Sequence, residues 1–130
     1  MNLGRREFVA VAAGTVAYAC LSSGDIVYGD SKMYGRIGKM TAAEGKRDEL
    51  IKILTGNDGM PGCLSYIVAK DPSDANAIWI TEVWDNKESH AASLKLSAVQ
   101  AAIVKGRPMI TGFSDSHETE PVGGIGLPRK

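Results

Sequence analysis

Four side chains have the types and places to work on a small molecule: Arg36, Tyr66, Trp84 and His90. Trp84 ends a run rich in β-branched and aromatic residues, where an indole can be either a core aromatic or the wall of a pocket that stacks a planar ligand. His90 follows six residues later, in a helical stretch. Turned inward, its imidazole would be a proton acceptor titrating near neutral pH; turned outward beside Lys95, it would be a solvated surface residue. Tyr66 offers an apolar body with a polar tip. Arg36 sits in a strand-like segment, and its burial would call for a carboxylate partner such as Glu82.

The chemistry that is missing narrows the choice. Neither His90 nor His117 stands in a paired metal-ligand spacing, so a dedicated zinc or non-haem iron site is not expected. Gly123-Gly124-Ile125-Gly126 lies near the end with no helix to open, so it is no phosphate-binding turn. A serine nucleophile elbow is also absent. An enzyme built on this chain is expected to work without metal, flavin or nicotinamide. The 15 basic and 15 acidic side chains cancel, which gives no field to attract phosphate backbones or anionic lipid.

Stepping outward along the chain, strands are expected at 33–39, 63–69, 77–84 and 109–117. Thr41 and Glu44 have capping-box spacing and predict a helix with Leu50, Ile51 and Leu54 on its apolar stripe, closed by Gly56. Asp85 with Glu88, and Ser97 with Gln100, repeat the signature, so the second helical region is expected in two pieces meeting near Leu96. Gly106 and Pro108 stop it. The order β-α-β-β-α-β predicts an α+β, ferredoxin-like split βαβ fold, with a four-stranded antiparallel sheet and both helices on one face. Strands 63–69 and 77–84 are apolar on both sides: Ile78 and Ile80 point one way, Trp79 and Val83 the other. A second copy, sheet against sheet, is the simple cover, giving a homodimeric α+β barrel.

The first 19 residues read as a signal peptide. Arg5 and Arg6 precede an uncharged apolar run, 8–19, too short to span a bilayer, and Ala17-Tyr18-Ala19 suits a signal peptidase. Residues 20–32 form a linker, 33–120 the domain and 121–130 a tail. Gly4-Arg5-Arg6-Glu7-Phe8-Val9 resembles the twin-arginine translocation motif, with Gly4 where Ser or Thr is usual and Val9 where Leu is commoner. That resemblance implies export to the periplasm or beyond. Cys20 just after the cleavage point raises lipid anchoring, which Ala17 and Tyr18 suit badly.

Met33-Tyr34-Gly35-Arg36-Ile37-Gly38-Lys39-Met40-Thr41, Met60-Pro61-Gly62-Cys63-Leu64-Ser65-Tyr66 and Thr81-Glu82-Val83-Trp84-Asp85 carry a second resemblance. So do Glu88-Ser89-His90, Gly106-Arg107-Pro108-Met109-Ile110 and Glu120-Pro121-Val122-Gly123-Gly124. Together they are similar to the antibiotic biosynthesis monooxygenase family, whose members often carry a provisional quinol monooxygenase assignment. The resemblance implies cofactor-independent oxidation of a phenol, hydroquinone or anthrone by molecular oxygen. His90 would be the base, Tyr66 or Arg36 would stabilise the oxyanion, and Trp84 would pack the ring. The same small domain also serves haem-degrading oxygenases, isomerases and proteins of unknown role. The alternatives are therefore a haem-degrading oxygenase or a noncatalytic periplasmic binding or stress-response module. Many relatives have a histidine about nine residues after the tryptophan; this chain has Ser93 there.

Overall fold

The computed structural model describes residues 32–128. The twin-arginine segment, its apolar run, Cys20 and most of the linker lie outside the described residues. Four strands and three helices follow one another: β1 (Tyr34–Ala42), α1 (Arg47–Leu54), β2 (Cys63–Lys70), β3 (Ala77–Trp84), α2 (Lys87–Ser93), α3 (Ser97–Gly106) and β4 (Ile110–Thr119). A single turn of 3₁₀ helix, Arg107–Met109, joins α3 to β4. The strands form one antiparallel sheet in the order β2-β3-β1-β4. This is the expected ferredoxin-like βαββαβ arrangement.

β3, in the interior of the sheet, carries the core. Its alternation sends Ile78 and Ile80 to the helix side, where they pack with Ala42 of β1 and Leu50 of α1. Tyr66 and Val68 of β2 and Ile110 of β4 close around this cluster. Ile78 and Leu50 are at most 1% exposed, and burying side chains of this size contributes about 1.5–3 kcal/mol each.

The first helix departs from the sequence reading. β1 runs on to Ala42, and Thr41 is spent in the ladder opposite Ala77 and Gly112, so the Thr41–Glu44 box never forms. The Ala42 amide donates to Asn76 O and the Ala43 amide to Met109 O, so both are engaged across the sheet rather than in a helix cap. Cross-strand pairing draws in residues that a local cap would have claimed. The chain then turns through Gly45, whose φ of +76° suits glycine, and α1 starts only at Arg47, without a side-chain cap. Asp48 and Glu49 in its first turn favour the positive end of the helix. Arg47 fastens that end to the β2–β3 turn, with Nη1 donating to the carbonyl oxygens of Asp71 (3.3 Å), Asp74 (2.9 Å) and Ala77 (3.4 Å).

The second helical region breaks at Leu94–Leu96, as expected, into α2 and α3. Its cap is Asn86 rather than Asp85: Asn86 Oδ1 accepts the Ser89 amide at 2.8 Å. The Ser97–Gln100 box is also absent, because Ser97 is already helical and Gln100 Nε2 donates to Leu94 O. No helix among the described residues is long and apolar enough to cross a membrane.

Candidate functional site

The start of α2 is held against the end of β3 by one glycine. Gly62 has φ +85°, and its carbonyl accepts the Asp85 amide at 2.9 Å. A Cβ on Gly62 would come within 2.5 Å of Ser89 and 2.8 Å of the Asp85 carboxylate. Both the positive φ and the close approach require glycine here. The tight junction places His90, one turn into α2, over the end of the sheet.

Between the sheet and the helices lies a cavity of about 610 Å³, lined mainly by apolar side chains. That volume is in the range of small-molecule sites, and its position is the usual one for such pockets. Trp84, Tyr66 and His90 all line it. Trp84 is both things the sequence allowed, a buried core aromatic at 1% exposure and a wall of the cavity.

His90 turns inward; its side chain is 13% exposed. The ring meets Trp84 edge-on, with centroids 5.4 Å apart, and tilts against Tyr34 at the same distance. Burial pushes its pKa below the ordinary 6.5, with Glu82 opposing and the positive charge of Arg36 assisting. The imidazole is therefore neutral at pH 7 and able to accept a proton. Tyr66 is shifted the other way: burial, with the negative charge of Glu82 second, pushes its phenol up to about 12. It stays protonated and can serve a developing oxyanion only as an O–H donor.

Arg36 is not part of the cavity wall. It stands opposite Glu82 on one side and Glu118 on the other in the ladder, yet its guanidinium reaches Ser116 Oγ at 3.4 Å. No Arg36–Glu82 ion pair forms within 4 Å. One Glu82 oxygen, Oε1, instead accepts the Trp84 indole N–H at 3.0 Å, and Arg36 is only half-buried, so its charge does not require a buried carboxylate. Any effect of Arg36 on the site is that of a nearby charge.

Four contributors were not read as site residues from sequence. Glu82 is the one carboxylate in the cavity wall among the described residues, and its Oε1 lies 3.9 Å from His90 Nε2. Tyr34 braces the imidazole from β1; its hydroxyl donates to Glu118 Oε2 at 2.5 Å, and burial raises its pKa. Lys87 ties the same carboxylate at 3.3 Å. Ser93 is buried and also lines the cavity, with its hydroxyl donating to His90 O at 2.6 Å. The alternation of β3 could have revealed Glu82, since it shares a face with Ile78, Ile80 and Trp84. Among the described residues no three His, Cys, Asp or Glu side chains are grouped to hold a metal ion.

The sequence pattern of the family described as antibiotic biosynthesis monooxygenase matches residues 33–105. A crystal structure from Chloroflexus aurantiacus J-10-fl, a protein provisionally assigned as an antibiotic biosynthesis monooxygenase, is 62% identical. The match covers 74% of this chain and 99% of that one, with a TM-score of 0.72. A provisionally assigned Deinococcus radiodurans relative is 26% identical over 71% of this chain and 95% of its own, at TM-score 0.58. One from Caulobacter crescentus CB15 shares the fold at 17% identity and TM-score 0.62, covering 72% of this chain and 92% of its own. No match is found among curated proteins. With a pattern match spanning more than half its length and a solved relative 62% identical, the chain belongs to the antibiotic biosynthesis monooxygenase family.

Proposed function

We propose that the protein is a cofactor-independent monooxygenase that oxidises a small phenol- or hydroquinone-type aromatic with molecular oxygen. The observation that carries this reading is the inward-turned His90, packed edge-on against Trp84 at the wall of a mainly apolar cavity, where burial pushes its pKa below the ordinary value. A bound hydroquinone would lose its hydroxyl proton to His90. The ring itself supplies all four electrons that dioxygen takes up, so that hydroquinone plus dioxygen gives a hydroxyquinone and water. One oxygen atom enters a ring carbon and the other leaves as water. The protein's tasks are to take the proton, hold the ring and keep bulk water away. Tyr66 is the O–H donor suited to the oxyanion, and Arg36 contributes its charge from outside the wall.

The working unit in this proposal is a homodimer joined through the sheet face opposite the helices, and its compartment is the periplasm or beyond, reached by the twin-arginine route. Arg5→Lys with Arg6→Lys should retain the precursor in the cytoplasm, and normal periplasmic accumulation would defeat that part.

Oxygen uptake by the full chain with a panel of hydroquinones, naphthols and anthrones tests the reaction. The expected result is saturable uptake that falls about 10²-fold in His90→Ala, the usual contribution of a general base. Ligand binding without uptake would make the protein a noncatalytic binding module. A haem spectrum on adding hemin, with ring cleavage under reductant, would move it to the haem-degrading class.

A further inference from the structure

The candidate residues converge on one carboxylate, that of Glu82. In the ladder, Glu82 is flanked by Arg36 of β1 and Tyr66 of β2. Trp84 Nε1 donates to its Oε1, and His90 Nε2 lies 3.9 Å from that same oxygen. The other carboxylate near this end of the sheet is already engaged: Glu118 accepts from Tyr34 and pairs with Lys87. Glu82 is thus left with charge to spare, at the cavity wall, beside an imidazole.

We propose that Glu82 is the positioning residue of the site, holding His90 in the Nε2–H tautomer so that Nδ1 carries the lone pair that takes the substrate proton. This rests on the oxidation proposed above. In the step, the O–H bond of the aromatic hydroxyl breaks, the proton moves to Nδ1, and the oxygen keeps the electron pair as a phenolate. The imidazolium so formed lies next to a carboxylate that does not itself take the proton. A separation of 3.9 Å exceeds a hydrogen bond but suits an unliganded site, where such contacts are long and tighten with substrate. The indole N–H matters too, because it fixes the carboxylate in one orientation and prevents it from following the ring.

Other charges facing His90 do not supply the same function. Arg36 from β1 and Lys87 from its own helix oppose an imidazolium, and Glu118 on β4 favours it while committed to Tyr34 and Lys87. Removing the Glu82 charge therefore leaves His90 among two cations and one occupied carboxylate.

Glu82→Gln separates positioning from simple support, because its amide oxygen can still accept the Trp84 N–H while the charge is lost. Long-range imidazole ¹⁵N spectra of the full chain, assigned with His90→Gln, read tautomer and titration directly. The expected result is Nε2–H for neutral wild-type His90 and a lower His90 pKa in Glu82→Gln. An Nδ1–H tautomer in the wild type, or a His90 titration unmoved by Glu82→Gln, would overturn the proposal. If the variant does not fold, the wild-type tautomer decides alone. With a substrate that supports oxygen uptake, Glu82→Gln should lower kcat about 10-fold or more with KM little changed, and move the acid limb of the rate profile to lower pH. If no quinol is consumed, the proposed reaction fails, while the spectra still decide whether Glu82 sets the state of His90.

Discussion

The two faces of the sheet are built from the same alternating strands and have opposite fates. On the helix side, Ile78, Ile80 and Trp84 are buried, and the space the helices leave becomes the cavity. On the other side, Ile37, Trp79 and Val83 remain half-exposed and Ile67 is 54% exposed. The tail does not cover them. Pro121 reaches Gly35 at one edge, whereas Val122 and Ile125 are exposed. Polar groups soften one end of this face: Trp79 Nε1 donates to Asp71 at 3.0 Å, and Lys39 lies 5.4 Å over the indole ring. The helix face is closed by the chain itself. The open face is where a second copy is proposed to lie, and apolar area of this kind is what a dimer interface uses.

The strongest way to break this contrast is to truncate one residue on each face. Ile78→Ala should cost about 2–5 kcal/mol in urea unfolding, since it leaves a cavity in a packed core. Ile67→Ala, measured dilute enough to be monomeric, should stay within about 0.5 kcal/mol of the wild type. Equal losses would mean that both faces are core.

Gly62→Ala should lower stability by roughly 1–3 kcal/mol, because alanine is strained at this positive φ and its methyl meets Ser89 and Asp85. The same change should displace the start of α2 and weaken ligand binding, read by Trp84 fluorescence. Unchanged binding would mean that α2 does not shape the cavity. Trp84→Phe should raise the Kd of a planar phenol more than it slows the bound complex. The opposite split would give the indole a part in the chemistry, through its hold on Glu82.

The helix face should also show its own pH dependence. His90 has a depressed pKa when folded, so below 6.5 the unfolded chain binds the proton better and stability falls with acidification. His90→Gln should flatten the stability curve just below pH 6.5. Asp71 is the open-face counterpart: hydrogen bonds from Ser73, then from Trp79, hold its carboxyl below the usual 3.8. Its contribution is present above that value and is lost only as pH falls through the folded pKa. Asp71→Asn should therefore change the curve below about pH 4 and leave the histidine window alone. The smallest expected effect on the fold is Ile67→Lys, within about 0.5 kcal/mol. Yet sedimentation should fall from about twice the chain mass to one chain mass. A wild type already at one chain mass would remove the dimer from the proposal.

Periodicity alone brought out most of the fold. The β3 limits, 77–84, were read without error, and the β-α-β-β-α-β order followed from alternation and breakers. Caps were read less well. Thr41–Glu44, Asp85–Glu88 and Ser97–Gln100 all have the right spacing, and none forms. Each depends on which neighbour reaches the same backbone amides first: β3 and β4 for Thr41, Asn86 for the start of α2, the helix itself for Ser97. At the site, Trp84, Tyr66 and His90 were legible because aromatic and imidazole groups stand out by type. Arg36 was drawn into the site by its charge; its strand sets it beside Glu82, but its guanidinium reaches Ser116 and it does not line the cavity.

The amino-acid sequence by itself determined the order of strands and helices and which side chains could move a proton, since these depend on residue type and local period. The family was legible only through its motifs' resemblance to known ones. Tertiary structure alone decided where each of those side chains lies and what it touches. Whether His90 faced solvent or the cavity was settled by Gly62 drawing α2 onto β3. Glu82 became the acceptor for Trp84 and the neighbour of His90, instead of the partner of Arg36, through contacts between a strand and a helix that pack side by side. Proton affinity in a protein is set by burial and by charges a few ångströms away. Those neighbours come from β1, β3, β4 and α2, and only folding brings them together.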